Sequence, residues 1–121
     1  RRDTPDKKKL KTSVLLKTIL SEGELLTRNL IKQADGFFRG NIRDARDFDE
    51  LRKEIQKGGF IRCGFCSTGI EGVPCSDRIK DELHGDVRGE RGDKEEKPSR
   101  GQKCIACGKP AKHVVYIGKQ Y

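Results

Sequence analysis

The sequence contains no methionine and no tryptophan, and its aromatic share is 6%, from 2 Tyr and 5 Phe. Apolar residues make up only 32% of its 121 positions, against roughly 45–50% in ordinary globular domains. A hydrophobic core alone is therefore marginal at this length, and one small domain is the most the composition supports. No stretch approaches the ~18 consecutive apolar residues of a membrane helix, and Arg1-Arg2-Asp3-Thr4 opens nothing like a signal peptide. Membrane insertion and secretion have no support. With no methionine at position 1, the chain reads as part of a longer polypeptide that continues upstream of Arg1. Enzymatic signatures are missing too. There is no phosphate-cradling G-x-x-x-x-G-K-[ST], no pair of carboxylates flanked by apolar residues, and no Ser or Cys elbow. Chemistry, if any, belongs elsewhere.

What the sequence does have is five cysteines, at Cys63, Cys66, Cys75, Cys104 and Cys107. An odd count without a secretory signal argues against a disulfide framework and for metal. A chain short of core can use a structural zinc as a staple, because binding energy becomes folding energy. Cys104-Ile105-Ala106-Cys107-Gly108 is a C-x-x-C-G turn whose two sulfurs point at one ion, with the glycine sparing a Cβ clash. The other half-site is open on spacing alone: Cys63 with Cys66 forms a second C-x-x-C and is slightly favoured, and Cys66 with Cys75 forms a wider pair. Four thiolates close a tetrahedral shell with no position left for water or substrate, so the expected zinc is structural. His84 and His113 read as packing or surface residues rather than ligands or bases.

Charge is plentiful, with 27 Lys+Arg against 19 Asp+Glu and a net +8. Lys7-Lys8-Lys9, Arg39/Arg43/Arg46 and Lys109/Lys112/Lys119 could steer toward nucleic-acid phosphates. Interspersed acids make an ordinary solvated surface an equal reading.

Residues 1–12 read as a poorly ordered linker. Apolar residues at threes and fours from Leu16 to Phe38 predict an amphipathic helix over 13–39, with a break possible at Gly23. Asp47 and Glu50 have the spacing of a reciprocal capping box, opening a second helix that stops at Gly58-Gly59. Phe60-Ile61-Arg62-Cys63 predicts a strand, and Ser76 is the expected cap of a third helix over 77–84. Residues 85–103, with Val87 as their one apolar side chain, are expected to form a solvated, mobile loop, and 111–117 a last strand. The expected fold is α+β in two layers: a long N-terminal helix and shorter helices packed on a small antiparallel or mixed sheet, stapled by zinc.

Several stretches, in order, resemble the C-terminal zinc-binding domain of archaeal and eukaryotic-type prolyl-tRNA synthetases. They are Asp49-Glu50-Leu51 with Gly58-Gly59-Phe60-Ile61-Arg62, then Cys75-x-x-x-Ile79-Lys80-Asp81-Glu82, then Lys103-Cys104-Ile105-x-Cys107-Gly108-Lys109-Pro110-Ala111-Lys112, and the closing Lys119-x-Tyr121. Arg1-Arg2-Asp3-Thr4 looks like the end of a preceding anticodon-binding domain, which makes 1–12 a linker and 13–121 the domain. The resemblance implies that Cys66, Cys75, Cys104 and Cys107 are the zinc ligands, with Cys63 as the substitute. It also implies a non-catalytic appendage of a class II synthetase that joins proline to tRNA(Pro). ATP and Mg2+ would be bound only by the catalytic domain, upstream. The implied partners are the catalytic and anticodon-binding domains of the same polypeptide, tRNA through the full enzyme, and a second copy in a homodimer. The implied location is cytoplasmic, and Tyr121 is the implied docking residue. Two competing readings make different demands. A zinc-ribbon-like nucleic-acid-binding module would use two C-x-x-C turns, and a dithiol redox protein would hold no metal.

Overall fold

The computed structural model describes residues 1–121 and divides them into two compact units, Arg1–Gly40 and Asn41–Tyr121. In the first, a 3-10 turn at Thr12–Val14 leads into α1, Leu15–Gly40, a 26-residue helix. Gly23 does not break it. The helix has the expected apolar stripe, yet none of its residues is buried. Residues 1–11 carry no helix or strand, and their side chains pair with one another and with α1. Asp3 accepts from Arg1 Nε at 2.9 Å and from Asn29 at 2.8 Å, and Glu22 accepts from Lys8 at 2.6 Å.

The second unit is built on a four-stranded mixed sheet. Its strands are β1 (Ile42–Asp44), β2 (Phe60–Phe65), β3 (Gly85–Gly89) and β4 (His113–Lys119), in the order β1-β2-β4-β3. β1 runs parallel to β2, and the other pairings are antiparallel. The helix between β1 and β2 is α2, Phe48–Ile55, and its cap is the expected one: Asp47 accepts from the Glu50 amide at 2.8 Å. Glu50 reaches back one residue further than a capping box requires, to the Arg46 amide at 2.8 Å. After α2 the chain reverses at Gly58 and Gly59, both at φ near +75° (+76° and +75°), a region open mainly to glycine.

Two expectations are corrected here, and one strand is new. α3 runs Val73–Leu83 and grows out of a 3-10 turn at Ile70–Gly72, so Ser76 lies inside the helix rather than capping it. Pro74 in the first turn, where no intrahelical donor is needed, is the true start signal. Residues 85–103 are not one mobile loop, because Gly85–Gly89 pairs with β4 as the edge strand. Its polar composition is that of an edge strand with one solvated side. β1, only three residues long, has no sequence pattern that announces it.

The core follows from strand alternation. Ile61, Cys63 and Phe65 of β2 are buried, as are Val115 and Ile117 of β4, and Ile61 faces Ile117 across the ladder while Cys63 faces Val115. Leu51 and Ile55 of α2 and Ile79 and Leu83 of α3 complete it. Gly85 marks where these elements converge: a Cβ there would lie 2.5 Å from Ile55 Cδ1 and 3.1 Å from Ile79 Cγ2. α2 and α3 thus cover one face of the sheet, giving the α+β architecture with long helix, short helices and mixed sheet. No helix is long and apolar enough to cross a membrane.

Candidate metal centre

Three segments of the second unit converge at the end of β2. Cys66 follows the last strand residue, Phe65, and Cys75 sits in the first turn of α3. The third segment is a tight turn in which the Cys104 amide donates to the Lys109 carbonyl at 2.7 Å and the Gly108 amide to the Cys104 carbonyl at 3.0 Å. Gly108 at φ +73° allows that reversal.

The turn is bolted to β2. The Ile105 amide donates to the Gly64 carbonyl at 3.0 Å and the Lys112 amide to the Phe65 carbonyl at 2.9 Å. Gly64 has to be glycine for this approach, since a Cβ would stand 2.7 Å from the Lys103 carbonyl oxygen and 2.9 Å from the Ala111 methyl. From the other side Arg78 of α3 donates to the Ala106 carbonyl, and its guanidinium lies 4.2 Å over the Phe48 ring of α2. Neither Gly64 nor Arg78 was singled out by sequence reading. A glycine inside a strand run, as in Phe60-Ile61-Arg62-Cys63-Gly64-Phe65, is nonetheless a legible sign of close backbone approach.

The result is a cluster of four sulfurs. The Sγ atoms of Cys66, Cys75, Cys104 and Cys107 all lie within 4.8 Å of one another, with Cys66 and Cys75 3.6 Å apart. A tetrahedral zinc with Zn–S distances of about 2.3 Å spaces its sulfurs about 3.8 Å apart. Donor chemistry and spacing both fit such an ion. Burial pushes the Cys66 and Cys75 thiols up from the ordinary range. Cys107, exposed and receiving a hydrogen bond from the Lys109 backbone, is held down at about 7. A cation among them would favour the thiolate in every case.

Cys63 lies outside the cluster. It is 1% exposed, packed in the core, and burial raises its thiol to about 12. The C-x-x-C from Cys63 to Cys66 starts within an extended strand, where residues three apart face opposite sides of the sheet. One C-x-x-C therefore joins the cluster, not two. His113 pairs with Glu90 at 2.7 Å, and His84 closes α3 in the left-handed conformation. Neither approaches the sulfurs as a member of the cluster. Tyr121 is wholly exposed beyond β4.

Comparisons with known proteins point to one family. Residues 48–121 match the family model described as prolyl-tRNA synthetase, C-terminal. The chain is 32% identical over 96 residues to a proline–tRNA ligase of Nanoarchaeum equitans, covering 79% of this chain and 17% of that protein. A proline–tRNA ligase of Agathobacter rectalis is 31% identical over 123 residues, covering 100% of this chain and 24% of the relative. Among solved structures, Giardia lamblia prolyl-tRNA synthetase in complex with prolyl-adenylate superimposes with a TM-score of 0.76 at 30% identity, over 86% of this chain and 20% of that one. The chain spans about a fifth of the length of the curated relatives it matches.

Proposed function

Because the chain belongs to the family of prolyl-tRNA synthetase C-terminal domains, we propose that it is a structural domain of a proline–tRNA ligase, stapled by one zinc ion and free of catalytic residues. Cys66, Cys75, Cys104 and Cys107 would hold that ion, and a shell of four thiolates leaves it no open position for substrate. When bound, zinc supplies a cross-link and nothing else. The residues of the chain do the rest: β2, the first turn of α3 and the Cys104–Lys109 turn hold each other in register through Gly64, Lys112 and Arg78. The single observation that carries this reading is the convergence of four sulfurs from three segments in a chain of this family.

The ligase would act in the cytoplasm as a homodimer, binding ATP, Mg2+ and proline in a catalytic domain and tRNA with the help of an anticodon-binding domain of the same polypeptide. Tyr121, wholly exposed beyond β4, is the proposed docking residue toward that assembly.

Metal analysis tests the centre. The chain should carry one zinc per molecule, and Cys107→Ser should lose it together with the structure of the second unit. A metal-free chain that keeps its sheet would end the proposal. In the full ligase, Tyr121→Ala should lower aminoacylation and leave zinc content unchanged; unaltered kinetics would remove the docking role.

A further inference from the structure

A cleft of about 780 Å³ opens in the second unit between the residues just after β1 and the stretch from Lys94 to Lys103. Six cations line it, Arg46, Arg62, Lys94, Lys97, Arg100 and Lys103, against three carboxylates. All three carboxylates are already engaged: Asp44 with Arg62 at 2.6 Å, Glu96 with Lys94 at 3.2 Å, and Glu95 with Lys97 at 3.5 Å. Arg46, Arg100 and Lys103 have no carboxylate partner. Three uncompensated positive charges thus face one concavity, where low-dielectric walls concentrate their field.

The shape of the lining narrows the ligand. Ala45 and Val114 are the only large or small apolar side chains in it, and no aromatic ring is present. A nucleotide cofactor or other ring-bearing small molecule needs an apolar or stacking slot for its ring, and this cleft offers none. A succession of phosphates needs only cations at intervals. Arg100 is also presented on a preformed support. It occupies the second position of a turn closed by the Gln102 amide donating to the Ser99 carbonyl at 3.0 Å, with Gly101 at φ +77° in the third. The Gln102 carboxamide folds back to accept from the Ser99 amide at 2.9 Å, which stiffens the turn.

We propose that this cleft binds the phosphodiester backbone of RNA without reading its sequence, with Arg46, Arg100 and Lys103 each neutralising one phosphate. The absence of a stacking residue is what makes the contact blind to sequence, because backbone contacts position and base contacts specify. The choice of RNA over DNA rests on the ligase reading above and on Ser99, which lines the cleft with a neutral hydroxyl of the kind that pairs with a ribose 2′-hydroxyl.

The experiment is fluorescence anisotropy on the whole 121-residue chain with a labelled RNA hairpin of arbitrary sequence, its DNA counterpart, and inorganic triphosphate as competitor. Three phosphate contacts predict a log–log salt slope of about −2.1 to −2.7, so affinity should fall roughly 20- to 40-fold between about 50 and 200 mM salt. Arg46→Gln, Arg100→Gln and Lys103→Gln should each flatten that slope by about 0.7 to 0.9, and Lys80→Gln on the exposed side of α3 should not. A shuffled hairpin should bind equally and the DNA version more weakly. Unchanged slopes in the three cleft variants, an equal loss in Lys80→Gln, equal affinity for DNA, or displacement of the RNA by stoichiometric triphosphate would each overturn the proposal. Failure to bind RNA by a chain that still holds zinc overturns the cleft and leaves the structural-domain reading standing. Binding through the cleft by a chain without zinc supports the cleft and overturns the metal centre.

Discussion

Cys63 and Cys66 stand three positions apart, and their surroundings oppose each other. Cys63 points into the core against Val115 of β4, and Cys66 turns out to meet Cys75. A serine at position 63 would bury a hydroxyl in the hydrophobic core, at a cost of roughly 1–3 kcal/mol. Cys63→Ser should therefore lower the urea midpoint yet retain full zinc stoichiometry, the reverse of Cys107→Ser. Zinc lost from the Cys63 variant while its fold persists would show that the ligand set is wrong. Gly64, next door, carries the same lesson in another form. Its missing side chain is what lets the Cys104–Lys109 turn lie against β2.

At the scale of elements, the irregular stretch after β3 is held to the sheet by charge rather than by apolar contact. Glu96 is the fastener: it accepts from the Tyr116 hydroxyl of β4 at 3.0 and 3.1 Å, and sits 3.2 Å from Lys94 and 3.6 Å from Arg62 of β2. Burial alone would push its carboxyl up, but the Tyr116 hydroxyl and the neighbouring cations outweigh that and hold it below its ordinary 4.5. A carboxylate whose folded pKa is depressed contributes stability in full above its unfolded value and loses it as pH falls through the folded one. Glu96→Gln should accordingly be less stable than the natural chain at pH 7, with the difference shrinking as pH drops below about 4.5. Denaturant titration at several pH values checks this, and a gap that stays constant with pH would mean that Glu96 acts through packing alone.

Across the whole molecule, the two units differ in what protects their backbones. β4 is hydrogen-bonded on both edges, to β2 and β3, and Val115 and Ile117 are wholly buried. α1 has no buried residue. Hydrogen exchange should therefore be slowest at Val115 and Ile117 and fast along Leu15–Gly40, since opening free energy follows burial and pairing. Uniform protection of α1 and β4 would contradict that ranking.

Much of this was legible in local order. The 3.6-residue stripe of α1, the Asp47 cap, the β-rich run at 111–117 that becomes β4 and the C-x-x-C-G turn each depend on neighbours within a few positions. β1 and the edge pairing of Gly85–Gly89 were not, because partners far along the chain stabilise them, whereas the start of α3 is marked locally by Pro74. The sequence by itself determined that this protein lacks core and compensates with sulfur, since composition and cysteine spacing are local facts. Spacing alone left open which sulfurs meet, and the tertiary structure brings together the four that the resemblance implied, because a strand turns alternate side chains to opposite faces and the covering helices α2 and α3 then bury Cys63 on one of them.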